Sequence, residues 1–197
     1  MLVVKNISKS FKKKVINDFS FIFKEGNFYK LIGKNGCGKT TLMKILKGIY
    51  IQDLGTISFE SSLSSNKDLV YIDNNSRSFI QRLTVRDNLR YFCSLYNSAS
   101  FGYALDLIEY FDRENLLDKR FSELSSGQMQ LISFVRGVSF KPKVLMLDEI
   151  FSSFDIKIKK KIKEFISEYT HQQNALVILT SHQDEYENAE IINLDND

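Results

Sequence analysis

The sequence has few of the residues that cross-link or interrupt a chain. Its 197 residues include two cysteines, one proline and nine glycines. Cys37 and Cys93 form no CxxC pair and have no histidine partner at a metal-ligand spacing, which argues against a disulfide framework and a zinc site and favours a reducing cytosol. With so little proline and glycine there is no low-complexity linker, so the glycines that do occur carry information.

Long apolar runs and a strong net charge are also missing. No stretch approaches the roughly 18 apolar residues of a membrane-spanning helix, and the start MLVVKNISKSF lacks the apolar run of a signal peptide. We therefore expect a chain that does not cross a membrane itself. The net charge of +3 is too small to indicate nucleic-acid binding. The basic run IKIKKKIKEFISEY is interpreted as the solvated face of a helix.

Strand and helix patterns alternate along the chain. The predicted strands are MLVVKNIS, FSFIF, FYKLI, GTISFE, DLVYID, KVLMLDE, ALVILTS and EIINL. Apolar residues recur at helical spacing at 40–47, 84–96 and 101–111, from the turn at 124–128 to about Phe140, and at 156–170. RENLLDK is predicted to form a further short helix. This alternation predicts an α/β sheet flanked by helices, in one domain over 1–197 with a helical subdomain inserted at about 84–140.

A glycine-rich turn follows the predicted strand FYKLI. Residues 33–40, GKNGCGKT, fit the pattern GxxxxGK[ST] between a strand and a helix. Such a loop points successive backbone N–H groups at a phosphate, and the helix that follows adds its positive dipole end. Lys39 is the predicted ligand of the β- and γ-phosphates, Thr40 of Mg²⁺ and Thr41 of the α-phosphate. The predicted nucleotide-binding residues here are Asn35, Gly36, Cys37, Gly38, Lys39, Thr40 and Thr41.

The strand VLMLDE ends in two carboxylates. Asp148, at the tip of a strand expected to be buried, is the predicted magnesium ligand. Glu149, one residue further on, is the candidate general base or water-positioning group. Taken alone, such a pair is often a solvated strand end. Together with the glycine-rich loop it predicts nucleoside triphosphate hydrolysis.

With these motifs the sequence resembles the nucleotide-binding domain of ABC ATPases over nearly its whole length. The residues responsible are Walker A at 33–41, LSSGQ at 124–128, VLMLDE at 144–149, SSFD at 152–155 and TSH at 180–182. The resemblance implies ATP hydrolysis with ATP and Mg²⁺ as cofactors. It also implies a P-loop ABC-type fold, with a mixed sheet core, an antiparallel β subdomain and an inserted helical signature subdomain.

The resemblance further implies a head-to-tail pair of domains. The signature residues Ser125, Ser126, Gly127 and Gln128 of one copy would close over the γ-phosphate held by the other copy's Walker A loop. A helix start with a serine cap suits this role, because its N–H groups and dipole attract phosphate charge. The implied partners are a second ABC domain, identical or diverged, and a transmembrane permease that would hold the chain at the cytoplasmic face of the membrane.

Other residues take roles only through the resemblance. His182 matches the switch histidine that contacts the γ-phosphate, and Asp155 with Ser152 matches the loop that communicates across the dimer. Phe11 matches the aromatic residue that stacks on adenine, with core packing as an equal alternative. His171 matches nothing and is expected to be solvated.

Three departures from the family pattern stand out. Counting eight residues back from Leu83, the position of the usual magnesium-binding glutamine holds Asn75, with Asn74 beside it. Asparagine is one methylene shorter, so a bridging water is expected in its contact with the metal. Ile150 and Phe151 replace the usual Pro-Thr after Glu149. The sequence ends soon after EIINL, so no C-terminal regulatory domain is expected.

The resulting expectation is an ATPase subunit that powers a transporter on a separate chain. The stretch NNSRSFIQRLTVRDNLRYFCSLY most resembles the drug, polysaccharide and cytochrome-assembly exporter branches of the family, which favours export. Its aromatic residues Phe79, Tyr91, Phe92 and Tyr96, with the loop around Asn75, are expected to form the groove that docks the permease. A stand-alone ABC ATPase that regulates a membrane enzyme or another complex stays open as the alternative. Loss of hydrolysis is disfavoured, because Lys39, Asp148, Glu149 and His182 are all present.

Because Cys37 lies inside the predicted phosphate-binding loop, alkylation of its thiol should inhibit the ATPase, and Mg-ATP should protect it. Mass-spectrometric labelling and residual activity, each with and without Mg-ATP, check this. The Cys37→Ala variant should resist inhibition. Equal labelling rates with and without nucleotide would rule the prediction out.

Overall fold

The computed structural model describes residues 1–59, 68–74, 78–96, 99–180 and 189–195. The chain divides into two compact units. The first comprises Met1–Tyr71, Lys143–Glu149 and Ile166–Asp197, and the second comprises Ile72–Pro142 and Ile150–Phe165. A single domain over 1–197 stays a prediction.

The described residues form strands at every predicted position. They are β1 (Leu2–Ser10), β2 (Lys14–Phe23), β3 (Phe28–Ile32), β4 (Leu54–Phe59), β5 (Leu69–Ile72), β6 (Val144–Asp148), β7 (Leu176–Thr180) and β8 (Glu190–Asn193). One sheet has the order β2-β1-β4 and is antiparallel. The other has the order β5-β6-β7-β3-β8, with parallel pairing of β6 with β7, β7 with β3 and β3 with β8. The predicted α/β architecture with a separate antiparallel sheet is confirmed.

The long helices also lie where the periodicity predicts them. They are α1 (Lys39–Leu46), α2 (Val85–Ser94), α3 (Ala99–Tyr110), α4 (Ser126–Ser139) and α5 (Ile156–Gln172). Gly48, at φ +78°, follows α1, and its N–H bonds the carbonyl of Ile45, so the predicted glycine stop is confirmed. The run RENLLDK, predicted as a short helix, forms a short 3-10 helix at Glu114–Leu116. Its backbone bonds reach only three residues back, as from Leu117 N–H to the Glu114 carbonyl, which gives the tighter helix type.

The core of the first unit lies around the central strands of the parallel sheet. Every residue of β6 and β7 is buried, as expected for strands covered on both faces. Leu42 and Met43 of α1 belong to the same apolar cluster as Met146 and Ile178. The end of β6, where Asp148 lies, is therefore part of a packed core.

In the second unit, an arginine is enclosed by aromatic rings. The Arg136 guanidinium lies 4.1 Å from the ring centre of Phe79 and 4.8 Å from that of Phe92. Burial lowers the pKa of Arg136 from 12.5 to about 10, so it keeps its charge at neutral pH. Phe79 is only 4% exposed and stacks on Phe121 at 4.2 Å between ring centres. The expectation that Phe79 lines a docking groove is therefore wrong, because its ring fills the interior of this unit.

Asn88 of α2 is fully buried and organises the segment before its helix. Its side-chain nitrogen donates to the carbonyls of Ile80 and Thr84, both at 3.0 Å, and its oxygen accepts the Ile80 N–H at 2.9 Å. One amide thus satisfies both backbone groups of Ile80. Such reciprocal pairing fixes the loop without regular secondary structure.

Replacing Asn88 with alanine should destabilise the protein by about 3 kcal/mol, since buried backbone groups lose their partners at roughly 1–3 kcal/mol each. Urea denaturation followed by circular dichroism measures the change. The exposed Asn115→Ala is the matched control and should stay within about 0.5 kcal/mol of the parent. Equal midpoints for the two variants would contradict the assigned role.

Candidate functional site

The loop between β3 and α1 has the backbone of a phosphate-binding turn. Gly33, Gly36 and Gly38 have φ values of +143°, +84° and +107°, in the region that favours glycine. Gly38 is the N-cap of α1, so the helix begins at Lys39. A Cβ at Gly36 would meet nothing within 4 Å, which leaves open space beside this part of the loop. The predicted placement of the motif, after a strand and at the start of a helix, is confirmed.

Lys39 lies across its own loop. It is 6% exposed, and its Nζ donates to the carbonyls of Gly33 at 2.6 Å and Lys34 at 3.1 Å. The Cys37 sulfur lies 3.8 Å from the same Nζ. The ammonium group is thus held at the loop by backbone acceptors, where the sequence predicts the β- and γ-phosphates.

A cleft of about 520 Å³ lies beside this loop in the first unit. Its lining includes Lys13, Lys14, Lys34 and Asp195, and the Lys34 N–H donates to the Asp195 carboxylate at 2.6 Å. Three lysines at one cleft create a positive potential suited to an anionic ligand. Phe11 is not among its lining residues.

The aromatic ring predicted to stack on adenine is at the surface. Phe11 is 56% exposed, and its ring contacts Tyr50 edge-on, 5.7 Å between centres. Core packing, the alternative interpretation of Phe11, is therefore wrong. Stacking on adenine stays a prediction, for which the ring has the necessary exposure.

Asp148 and the Walker A loop lie at the same edge of the parallel sheet. Asp148 pairs with Thr180 on β7, and Thr180 pairs with Leu31 on β3, two residues before Gly33. Neighbouring strands lie about 4.8 Å apart, so two strand spacings, about 10 Å, separate the backbones of Asp148 and Leu31. The buried carboxylate is therefore within reach of a ligand bound on the loop.

Two hydroxyl groups hold the Asp148 carboxylate. Thr180 Oγ1 donates to Oδ1 at 2.6 Å, and Tyr71 Oη donates to Oδ2 at 2.7 Å. Asp148 is 5% exposed, and a buried polar group requires hydrogen-bond partners of this kind. The next residue, Glu149, is exposed and has φ +54°, and its N–H donates to Thr180 Oγ1 at 3.0 Å. One carboxylate is thus fixed and the other projects from the strand end.

These residues fit magnesium and a nucleotide. Thr40, exposed in the first turn of α1, and Asp148 would offer the hard oxygen ligands that Mg²⁺ prefers. Among the described residues, no group of three or more His, Cys, Asp or Glu side chains could hold a metal ion alone. Mg²⁺ commonly binds through one or two protein oxygens plus substrate phosphates, which agrees with this sparse set.

The signature residues form a helix start in the second unit. Ser125 is the N-cap of α4: its Oγ accepts the Gln128 N–H at 3.3 Å, and Gln128 Oε1 accepts the Ser125 N–H at 3.0 Å. The serine cap is confirmed at Ser125. Because the Gln128 N–H is engaged in this capping box, its predicted contact with phosphate would compete with the cap. Ser126 is the first residue of the helix, where backbone N–H groups have no intrahelical partner.

Gly127 lies against the turn at Ile150–Ser153. A Cβ at Gly127 would overlap the Ser153 carbonyl oxygen. In the same unit, Asp155 accepts the Ile158 N–H at 2.8 Å and lies 3.8 Å from the Arg113 guanidinium. Ser125, Gly127 and Asp155 border one cleft of about 500 Å³. The structure thus brings the signature residues together with Asp155 at one cleft of the second unit.

Two predicted site residues, His182 and Asn75, lie outside the described residues. Asn74, beside Asn75, donates to Ser152 Oγ at 2.9 Å. The Asp73 carbonyl accepts a bond from the Gln130 side chain at 3.0 Å. This segment is thus connected to both the signature helix and the turn after β6 within the second unit.

A family model described as ABC transporter matches residues 16–152. The chain belongs to the ABC transporter family. As an ABC-type ATPase it hydrolyses ATP, and its fold class is as the sequence predicts. Among the described residues, no helix is both long and apolar enough to cross a membrane.

Two relatives show how far the similarity extends. The chain is 34% identical over 187 residues to "Probable iron export ATP-binding protein FetA" of Escherichia coli K12, covering 90% of this chain and 82% of FetA. It is 32% identical over 202 residues to "Spermidine/putrescine import ATP-binding protein PotA" of Mycoplasma mycoides, covering 94% of this chain and 55% of PotA. The chain therefore spans about half the length of PotA.

The fold is shared with a solved ABC cassette. The "Dimeric Structure of MJ0796, a Bacterial ABC Transporter Cassette" has a TM-score of 0.80 at 20% identity, covering 93% of this chain and 88% of that one. Another structure of that cassette, dimeric and in a post-hydrolysis state, is bound to ADP and Pi. At this identity the likeness establishes the fold.

Sequence reasoning missed the residues that support the site. Tyr71 and Thr180 contact Asp148, and Asp195 contacts the Walker A backbone. Each is distant in sequence from its partner. Tyr71 and Asp195 belong to no motif, and Thr180 is the first residue of TSH, in which the sequence assigned a role only to His182. Knowledge of the strand order could have identified Tyr71 and Thr180, because their strands flank the one that carries Asp148.

Gly127→Ala should destabilise the protein by about 1–3 kcal/mol, because the new methyl group overlaps a backbone oxygen and the helix start must shift. Gly102→Ala in α3 is the matched control: a Cβ there meets nothing within 4 Å, and alanine should stabilise the helix by about 0.5–1 kcal/mol. Urea unfolding midpoints compare the two. Stabilisation by both substitutions would contradict the close packing at Gly127.

Proposed function

We propose that this ATPase hydrolyses Mg-ATP at the edge of the parallel sheet, with Glu149 as general base. This assignment rests on one observation: two consecutive residues carry carboxylates that have opposite environments. Asp148 is buried between hydroxyl donors, whereas Glu149 is exposed one residue later, on the sheet edge that carries the Walker A loop. A buried ligand and an exposed base suit metal binding and water activation, respectively.

The other residues take roles around the phosphates. Lys39 would exchange its carbonyl partners for β- and γ-phosphate oxygens, and Thr40 with Asp148 would hold Mg²⁺, directly or through water. When bound, Mg²⁺ neutralises charge on the phosphate oxygens. Asn75 would support the metal and His182 the γ-phosphate. Phe11, which is exposed, would stack on adenine.

The catalytic unit of this proposal is a dimer. Ser125, Ser126 and Gly127 begin a capped helix of 14 residues, and this helix start would close over the γ-phosphate bound by a second ABC domain. Support comes from the fold, which the chain shares with a cassette solved as a dimer. Asp155, beside the signature cleft, would contact the partner across the interface.

The output of the cycle would be transport through a permease on another chain, at the cytoplasmic face of a membrane. The names of the relatives divide by direction, since FetA is described as an export protein and PotA as an import protein. Export remains the favoured direction, with FetA as its support. Tyr91 of α2 is 47% exposed and Leu95, the residue just after α2, is 66% exposed, and they would offer apolar contacts for a permease.

Glu149→Gln should retain ATP binding and lose at least about 100-fold in turnover, the lower range for loss of a general base. It should also accumulate as an ATP-bound dimer. Fluorescent-nucleotide binding, phosphate release and light scattering on a sizing column measure these three properties.

Glu168→Gln makes the same acid-to-amide change at another exposed residue of the first unit. It is the control and should behave like the parent. Unchanged turnover in Glu149→Gln would refute the general base. Full turnover of the parent in a strictly monomeric state would refute the shared site.

A further inference from the structure

The strand that carries Asp148 lies between two strands that each supply a hydroxyl group to it. In the sheet, β6 is flanked by β5 and β7. Tyr71 of β5 donates to Oδ2 at 2.7 Å, and Thr180 of β7 donates to Oδ1 at 2.6 Å. Each carboxylate oxygen therefore accepts a bond from a different neighbouring strand.

We propose that Tyr71 and Thr180 are positioning residues that fix the rotation of the Asp148 carboxylate for magnesium. This inference rests on the proposed role of Asp148 as a magnesium ligand. Rotation about the last side-chain bond of an aspartate is broad, so an unrestrained carboxylate has no single orientation. Two donors from opposite sides remove that freedom. An ionised carboxylate has about four acceptor sites, so two remain for a metal or its water.

The Thr180 hydroxyl also accepts a hydrogen bond, from the Glu149 backbone. Its hydroxyl has one proton, and the Asp148 carboxylate can only accept, so that proton points to Asp148. The Glu149 N–H can only donate, and it lies 3.0 Å from the same oxygen. One hydroxyl thus joins the metal ligand to the candidate base, through a donated and an accepted bond.

The backbone of Glu149 makes this link necessary. Its φ of +54° is a conformation that residues with a side chain adopt rarely and at a cost. The Glu149 N–H also lies 3.2 Å from the Thr180 carbonyl, so the hydroxyl and the carbonyl of Thr180 both accept from it. Loss of the hydroxyl removes one of these two restraints and should let the Glu149 backbone relax.

Loss of the Thr180 hydroxyl and loss of the Tyr71 hydroxyl are therefore expected to cause different defects. Thr180 contacts both Asp148 and the Glu149 backbone, so its loss should weaken metal binding and slow the chemical step. Tyr71 acts on Oδ2 of Asp148, so its loss should weaken metal binding and leave turnover at saturating metal nearly unchanged. Phenylalanine at position 71 keeps the ring that packs against the core of the first unit.

The test uses the full chain and the variants Thr180→Val, Thr180→Ser and Tyr71→Phe. Mn²⁺ binding in the presence of ATP is measured by electron paramagnetic resonance, and ATP turnover is measured over a range of Mg²⁺ concentrations. Valine has nearly the shape of threonine without its hydroxyl, whereas serine keeps the hydroxyl. Thermal unfolding of each variant identifies any that fails to fold.

Thr180→Val should weaken Mn²⁺ binding about tenfold, the lower range for loss of an outer-shell partner, and should also lower kcat about tenfold. Thr180→Ser should recover both to within about threefold, and Tyr71→Phe should weaken Mn²⁺ binding about tenfold with kcat within about threefold at saturating Mg²⁺. A merely structural role would not separate metal affinity from kcat in this way. If Thr180→Val does not fold, Tyr71→Phe still decides the metal-positioning claim.

Parental Mn²⁺ affinity in both Thr180→Val and Tyr71→Phe would overturn the proposal, as would equal defects in Thr180→Val and Thr180→Ser. Asp148→Ala separates this failure from failure of the proposed function. If Asp148→Ala loses Mn²⁺ binding while the hydroxyl variants keep it, the function stands and the positioning role is wrong. If Asp148→Ala keeps Mn²⁺ binding, Asp148 is not the metal ligand and both assignments are wrong.

Discussion

The structure of the site depends on keeping one carboxylate buried at the end of a core strand. Every residue of β6 is buried, so Asp148 cannot obtain its hydrogen bonds from bulk water. Hydroxyls on the two flanking strands supply them, and this requires the strand order and the register that the sheet has. The sheet thus brings the motifs to a common edge, and the pairing of its strands also determines the hydrogen-bond environment of Asp148.

The two segments proposed to bind phosphate, the Walker A loop and the signature, are stabilised by different interactions. The Walker A loop depends on backbone conformation, with glycines at positive φ and a lysine bound to the carbonyls of its own loop. The signature depends on capping and packing, with Ser125 and Gln128 in a reciprocal box and Gly127 pressed against Ser153. A glycine is needed in both, but for conformational freedom in one and for space in the other.

The sequence predicts the elements and the motif loops well, because their signals are local. Period-two and period-3.6 patterns locate the strands and long helices, and the Walker A and signature positions follow from glycine and serine at helix starts. What it does not predict depends on contacts between distant segments. The burial of Phe79, the exposure of Phe11 and the bonds of Tyr71 to Asp148 arise from packing and strand order, which leave no trace in a single sequence.

The hydrogen bonds of the Lys39 ammonium group have a consequence for the kind of anion that the loop would bind. All three of its N–H donors have partners in the loop: the carbonyls of Gly33 and Lys34 and the Cys37 sulfur. A small anion such as chloride would have to replace several of these hydrogen bonds with a single acceptor atom. A polyphosphate chain offers several oxygens in sequence, so it can replace them while binding the loop N–H groups. In the proposed nucleotide site, the loop would therefore discriminate by the number of oxygens an anion presents, in addition to its charge.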